Sequence, residues 1–287
     1  MERKRIILKG LDHSSYEHPF DQKALAALEA TPGLTLAGNF ITKQVERVYM
    51  VQYTGSHLKV TGNNYPDIYK YLREACKILD VKKVPELYIE WGYNINACTI
   101  GSKSPIIVLN SGLIDLCDED EIMFVIGHEL GHVKSNHMLY HMMAQVINLV
   151  INSIPFGSVA AAPLQYALYY WDRMSEFTAD RAGLLCCQNK DAAVRAFMKM
   201  SGMPIKQFND MNFNTFIQQA KDFKQLDYEG LNKIIKLISI ADSSHPWTVM
   251  RAAELINWIE GGEYNKYIPD DKSILQEPRK SKVLRKF

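Results

Sequence analysis

Asp118-Glu119-Asp120-Glu121-Ile122-Met123-Phe124-Val125-Ile126-Gly127-His128-Glu129-Leu130-Gly131-His132-Val133 is the stretch that decides how this chain is read. Two histidines four residues apart stand one above the other on a helix, so both imidazoles reach a single ion. Glu129 lies about 100° around the helix from His128 and is placed to touch a water on that ion, not the ion itself. The helix signal covers residues 118–137. Asp118 can cap it, three acidic residues fill its first turn, and Ile122, Val125, Ile126, Glu129 and Val133 recur at helical spacing. Gly127 and Gly131 are poor helix formers, and their position beside the histidines points to close approach of another element or of substrate. The plain alternative is a buried helix whose histidines are only hydrogen-bonded.

A catalytic zinc takes three protein ligands and keeps one position open, so a third donor is needed. A histidine six residues past His132, as metzincins carry, would fall on Met138, and the glycine expected three residues earlier is Ser135. His137 and His141 stand at other spacings and read as exposed or core-edge residues. A carboxylate on a later helix remains. The run Arg173-Met174-Ser175-Glu176-Phe177-Thr178-Ala179-Asp180-Arg181 offers Glu176, with Asp180 one turn on and on the same face. Such a pair suits a ligand and a carboxylate that accepts the free ring N–H of a ligating histidine. The alternative is a surface pair flanked by Arg173 and Arg181; the uncharged, buried-looking stretch before it argues against that.

The chain has 287 residues, 47% of them hydrophobic, enough for a sizeable core. One catalytic unit is expected over residues 61–260, with an extension over 1–60 packed on it and a basic tail over 261–287. A net charge of +1 gives no sign of a nucleic-acid partner. Five cysteines, with Cys186 and Cys187 adjacent and no C-x-x-C pair, argue for reduced thiols, a cytoplasmic setting and a zinc site built without sulfur. The basic start Met1 to Arg5 is followed by Ile6-Ile7-Leu8, broken at once by Lys9 and Asp12, so no secretory leader is expected.

Helical patterns are expected over residues 22–30 and 65–79, while 34–53 stays undecided. Three extended runs, 86–90, 96–100 and 106–110, predict a small antiparallel sheet before the metal helix. Residues 142–171 contain no Asp, Glu, Lys or Arg. A membrane hairpin is the obvious reading, but Gln145, Asn148 and Asn152 form a polar stripe. Pro155, Gly157 and Pro163 break the run below the roughly 20 apolar residues of a span. A buried or substrate-lining helical pair is the expectation, with membrane association, the site facing the cytoplasm, as the alternative. Further helices are expected over 163–187, 192–201, 205–223, 231–240 and 246–259.

The order Asn96-Ala97, Gly101, Asn110, Ser111-Gly112-Leu113, Glu121, His128-Glu129-Leu130-Gly131-His132, His137, Arg173, Glu176, Ala179-Asp180-Arg181 and His245-Pro246 resembles the HtpX-like and CAAX-prenyl-protease-type-1-like zinc metallopeptidases. The resemblance implies a gluzincin-type, mainly helical α+β fold, zincin-like, with a small antiparallel sheet beside the zinc helix. It implies one Zn2+ per chain on His128, His132 and Glu176, with Asp180 supporting and Glu129 as general base. His245 matches the family's His-Pro position and is the candidate oxyanion donor, its alternative being a capping loop histidine; Arg251 is a weaker candidate. Asn96, Ala97, Cys98 and Thr99 lie where such peptidases carry the edge strand to which an extended peptide adds. Relatives with membrane spans differ from this chain, which resembles the soluble branch. The expected function is zinc-dependent endopeptidase action on peptide or protein substrates, with the oligomeric state unset. The competing reading is a non-catalytic zinc-binding or chaperone-like peptide-capture protein, against which the intact Glu129 argues.

Overall fold

The computed structural model describes residues 4–32, 34, 38, 46–152, 157–210, 212–225 and 248–269. Helices α1 (Pro19–Glu29) and α2 (Glu46–Ser56) precede strand β1 (Leu58–Val60) and helix α3 (Pro66–Ile78). Strands β2 (Glu86–Glu90), β3 (Ala97–Ile100) and β4 (Ile106–Asn110) lead through the short α4 (Ser111–Leu116) into α5 (Glu119–Lys134), the helix of the paired histidines. Then come α6 (Met138–Asn152), α7 (Gly157–Cys187), α8 (Lys190–Met200), α9 (Phe213–Gln225) and α10 (Thr248–Glu260). The predicted helix over 231–240, and the basic tail beyond residue 269, lie outside the described residues.

The described residues are mainly helical, with one sheet in the order β1-β2-β4-β3. Its expected antiparallel character holds at two pairings, β1 with β2 and β3 with β4, and is corrected at the third, where β2 and β4 run parallel. The cause is the turn after β3. The chain leaves β2 through a wide loop, lays β3 one strand's width away, and folds β4 back into the space between. Gly101 makes that turn with φ of +93°, in the left-handed region that disfavours side chains. Glu46 of α2 secures it by accepting from Ser102 N at 2.8 Å and Lys103 N at 3.1 Å.

Strand alternation divides the core. Leu87, Ile89, Ala97, Ile107 and Leu109 face one cluster with α3 and α5, whereas Tyr88, Ile100, Ile106 and Val108 face a second cluster with α1, α6 and α7. The helix α5 runs between other elements and is buried continuously from Glu121 to His132, so it lacks a simple polar face. Its start is held by a capping box: Glu121 N donates to Asp118 Oδ1 at 3.0 Å and Asp118 N to Glu121 Oε2 at 2.7 Å. The buried Glu121 also accepts from Arg195 Nε at 3.0 Å and Lys199 Nζ at 2.5 Å on α8.

Glycine lets α5 and α7 meet almost backbone to backbone. A Cβ on Gly127 would stand 2.3 Å from Cys186 Cβ, one on Gly131 2.7 Å from Ala182 Cβ, and one on Gly183 2.7 Å from Phe124 O. The close approach predicted from Gly127 and Gly131 is thus to a second helix. That helix, α7, continues through Pro163, which had been read as an interruption. Pro163 falls near the helix start, where its missing N–H removes a single ladder bond. No described helix is long and apolar enough to cross a membrane. Toward the end of the described residues, Tyr264 and Ile268 are buried in the first cluster.

Candidate active site

The contact of α5 with α7 brings Glu176 opposite the paired histidines. His128 Nε2 and His132 Nε2 are 3.1 Å apart, Glu176 Oε2 lies 3.5 Å from His128 Nε2, and Glu176 Oε1 lies 3.3 Å from His132 Nε2. Donors each about 2.1 Å from one tetrahedral ion would be separated by about 3.4 Å. The three residues therefore present a donor set that fits one small cation. All three are buried, so the cluster is no surface accident.

Behind His128 stands the second carboxylate. His128 Nδ1–H donates to Asp180 Oδ1 at 2.9 Å, leaving the Nε2 lone pair free for a metal. Arg251 of α10 clamps the pair from behind: Nε donates to Asp180 Oδ2 at 2.8 Å, Nη2 to Asp180 Oδ1 at 2.6 Å, and Nη1 lies 2.9 Å from Glu176 Oε2. Burial by itself would raise the Asp180 carboxyl, but Arg251 and His128 outweigh it and hold it below the ordinary carboxylate range. Arg251 was read from sequence as a weak oxyanion candidate; its guanidinium is committed to Asp180 and Glu176 instead.

A different network supports His132. His132 Nδ1 lies 3.0 Å from His137 Nδ1, and His137 Nε2 lies 3.4 Å from Asp21 Oδ2 on α1. Thr178 Oγ1 donates to the same Asp21 oxygen at 2.6 Å. His141 Nε2 also approaches His132 Nδ1, at 3.3 Å, while its Nδ1 pairs with Asp172. Burial keeps His132 and His137 neutral by lowering both below the ordinary imidazole value. His141 goes the other way: burial would lower it, but Asp172 and the nearby glutamates raise it. The reading of His137 as an exposed or core-edge residue is corrected, whereas His141 stands half-buried at the core edge as expected. His137 is 1% exposed, and both rings pack against His132 because the turn after α5 folds α6 back over it.

Glu129 is buried beside the histidines, and Thr99 Oγ1 on β3 donates to its Oε2 at 2.7 Å. A cleft of roughly 220 Å³ opens here, lined by Asn94, Asn96, Ala97, His128, Glu129 and Arg251 among others. Asn110 N donates to Asn96 O at 3.0 Å, so in the antiparallel ladder the next paired positions are Cys98 and Ile100. The alternation then turns the main-chain groups of Ala97 and Thr99 away from β4, toward the open edge. Of the four strand residues expected to meet substrate, Asn96 and Ala97 line the cleft and Thr99 holds Glu129. Cys98 is the exception: strand alternation turns its side chain into the second apolar cluster beside Tyr53. His245 lies outside the described residues.

Sequence reasoning missed the guanidinium clamp, the Thr99 bond and the Asp21 connection. Arg251 and Asp180 are 71 positions apart and Thr178 and Asp21 157, so no local pattern announces either contact.

Over 285 residues the chain is 31% identical to the plastoglobule-localized metallopeptidase 48 of the Arabidopsis thaliana chloroplast, covering 98% of this chain and 80% of that protein. It is 25% identical over 237 residues to the protease HtpX homolog 2 of Methanosarcina acetivorans, covering 70% of this chain and 75% of the other. No solved structure matches. Residues 66–259, which span the sheet from β2, the paired histidines, Glu176 and Arg251, match the profile of peptidase family M48. The chain is thus a metallopeptidase acting on peptide or protein substrates, and it belongs to peptidase family M48.

Proposed function

We propose that this chain is a zinc-dependent endopeptidase with Glu129 as its general base. The observation that carries the reading is the convergence of His128 Nε2, His132 Nε2 and the Glu176 carboxylate, with Glu129 beside them. Two nitrogens and a carboxylate suit zinc, and the surrounding three carboxylates, Glu129, Glu176 and Asp180, outnumber the single guanidinium of Arg251 by the charge of one divalent ion. A zinc ion held there would supply Lewis acidity at the scissile carbonyl and bring a water's pKa down toward about 7.

The chain's own residues do the rest. Thr99 holds one oxygen of Glu129, leaving the other to take the proton of the attacking water and pass it to the leaving amine. Asp180 and Arg251 keep His128 and Glu176 in place. The outward main-chain groups of Ala97 and Thr99 are suited to pair with an extended peptide. Pairing along an edge strand recruits the middle of a substrate, which favours internal cleavage over trimming of ends. His245 remains our candidate donor to the oxyanion. None of the five cysteines is joined in a disulfide, in keeping with a reducing compartment, and we place the chain in the cytoplasm.

The test is Glu129→Gln. The variant should bind zinc as the wild type does and lose nearly all hydrolysis of an unstructured protein substrate. Cleavage that survives removes Glu129 from the mechanism, and a wild type that binds peptides but cuts none is a capture protein.

A further inference from the structure

Asp21 is a buried carboxylate far from the paired histidines in sequence, yet it reaches them through one side chain. It is 0% exposed at the start of α1, and its Oδ1 has no hydrogen-bond partner among the described residues. Burying a carboxylate costs several kcal/mol, and the Thr178 hydroxyl and the His137 ring, both on Oδ2, offset only part of that. An apolar residue would fill the position at lower cost, so the charge has an effect elsewhere.

That effect runs through imidazole tautomers. Asp21 Oδ2, 3.4 Å from His137 Nε2, can only accept, so His137 carries its proton on Nε2. His137 Nδ1 must then accept, and the group facing it at 3.0 Å is His132 Nδ1, which therefore donates. With its proton on Nδ1, His132 turns a bare Nε2 toward His128 Nε2 and Glu176. Thr178, which orients Asp21, lies on α7 between Glu176 and Asp180, so one helix carries a metal-facing edge and an Asp21-facing edge.

We propose that Asp21, acting through His137, is a positioning residue for His132, which makes the amino-terminal helix α1 part of the metal centre and not a packed extension. The inference rests on the zinc reading above. The competing support is His141, whose Nε2 is 3.3 Å from His132 Nδ1 and whose other nitrogen is held by Asp172; Ser175 Oγ, also 3.3 Å from Nε2, gives its proton to Asp172 O at 2.7 Å and leaves this branch open. Asp172 is thus the matched carboxylate on the other branch.

Zinc affinity of the full chain, measured by competition with a chromophoric chelator, separates the possibilities. Asp21→Ala should weaken zinc binding by about 10- to 100-fold while the far-ultraviolet circular dichroism stays that of the wild type. His137→Leu should give a similar loss, and the double variant no further loss, because both substitutions cut one connection. Asp172→Asn should have the smaller effect. A folded Asp21→Ala chain binding zinc within about twofold of the wild type would overturn the proposal, as would additive losses or a larger loss from Asp172→Asn. If Asp21→Ala does not fold, the similarly sized Asp21→Leu, which has no acceptor, decides through the 15N spectrum of the imidazoles. Loss of the Nε2–H tautomer at His137 supports the connection, and an unchanged spectrum refutes it. A wild type with no zinc affinity would instead overturn the zinc reading on which all of this stands.

Discussion

Gly127→Ala tests how the two halves of the site are held together. The added Cβ would lie 2.3 Å from Cys186 Cβ, 3.0 Å from Cys186 Sγ and 3.1 Å from Gly183 Cα. Carbon atoms pack at about 3.5–4.0 Å, so α5 and α7 must part by more than about 1 Å at this level. Overpacking of a core costs about 1–3 kcal/mol, and a clash between two atoms fixed to backbones belongs at the upper end. Alanine recovers about 1 kcal/mol of helix propensity, leaving a net loss of about 2 kcal/mol. For a protein of this size that corresponds to a fall in Tm of about 4–8 °C, readable by thermal melting of the metal-free chain. Separation of the helices also draws Asp180 and Glu176 away from the imidazoles, so zinc affinity should fall with stability. Cys186→Gly in the Gly127→Ala background should restore much of both, because it removes the clashing Cβ; Cys186→Ala should not, because it keeps that atom. A Gly127→Ala chain melting at or above the wild type, or rescued equally by Cys186→Ala, refutes the reasoning.

Arg251→Met should destabilise the metal-free chain by about 3–5 kcal/mol by leaving Asp180 and Glu176 buried without a counter-charge, and saturating zinc should recover part of the loss; melts with and without zinc check this, and equal deficits in both would contradict it. Acidification should weaken the metal-free fold in two stages. His132 and His137 have folded pKa values below their ordinary 6.5, so the unfolded chain binds more protons and stability falls as pH drops below about 6.5. His141 is raised and opposes them in part. Asp180 is held below its ordinary 3.8, so its contribution is complete above that value and is lost only as pH falls through the folded value. Urea midpoints that stay level from about pH 7.5 to 5 would contradict the first stage. Finally, the cytoplasmic placement proposed above expects the chain to leave membranes on an alkaline wash; retention in the pellet would favour the membrane-associated alternative.

Legibility in the sequence followed the range of the forces involved. The helix of the paired histidines was readable to within a few residues because its cap, its acidic first turn and its apolar spacing all lie within one stretch. Glu176 and Asp180 were readable because both sit on one face of one helix, and a zinc site demands a third donor. Gly127 and Gly131 announced a close neighbour without naming it. The sheet was legible as strands but not as a topology, since alternation tells which face is buried and nothing about which strand lies beside which.

By itself, then, the sequence laid out the chemistry on offer: which side chains are of a kind to hold a cation, which carboxylate we propose as the base, and which stretches form helix or strand. The tertiary structure decided how those groups are supported. Arg251 behind Asp180, Thr99 on Glu129, and Asp21 behind His137 are contacts between elements far apart in the chain. Helical and strand periods are local properties of the backbone, whereas such contacts exist only after separate elements have packed, so only the packed molecule specifies them.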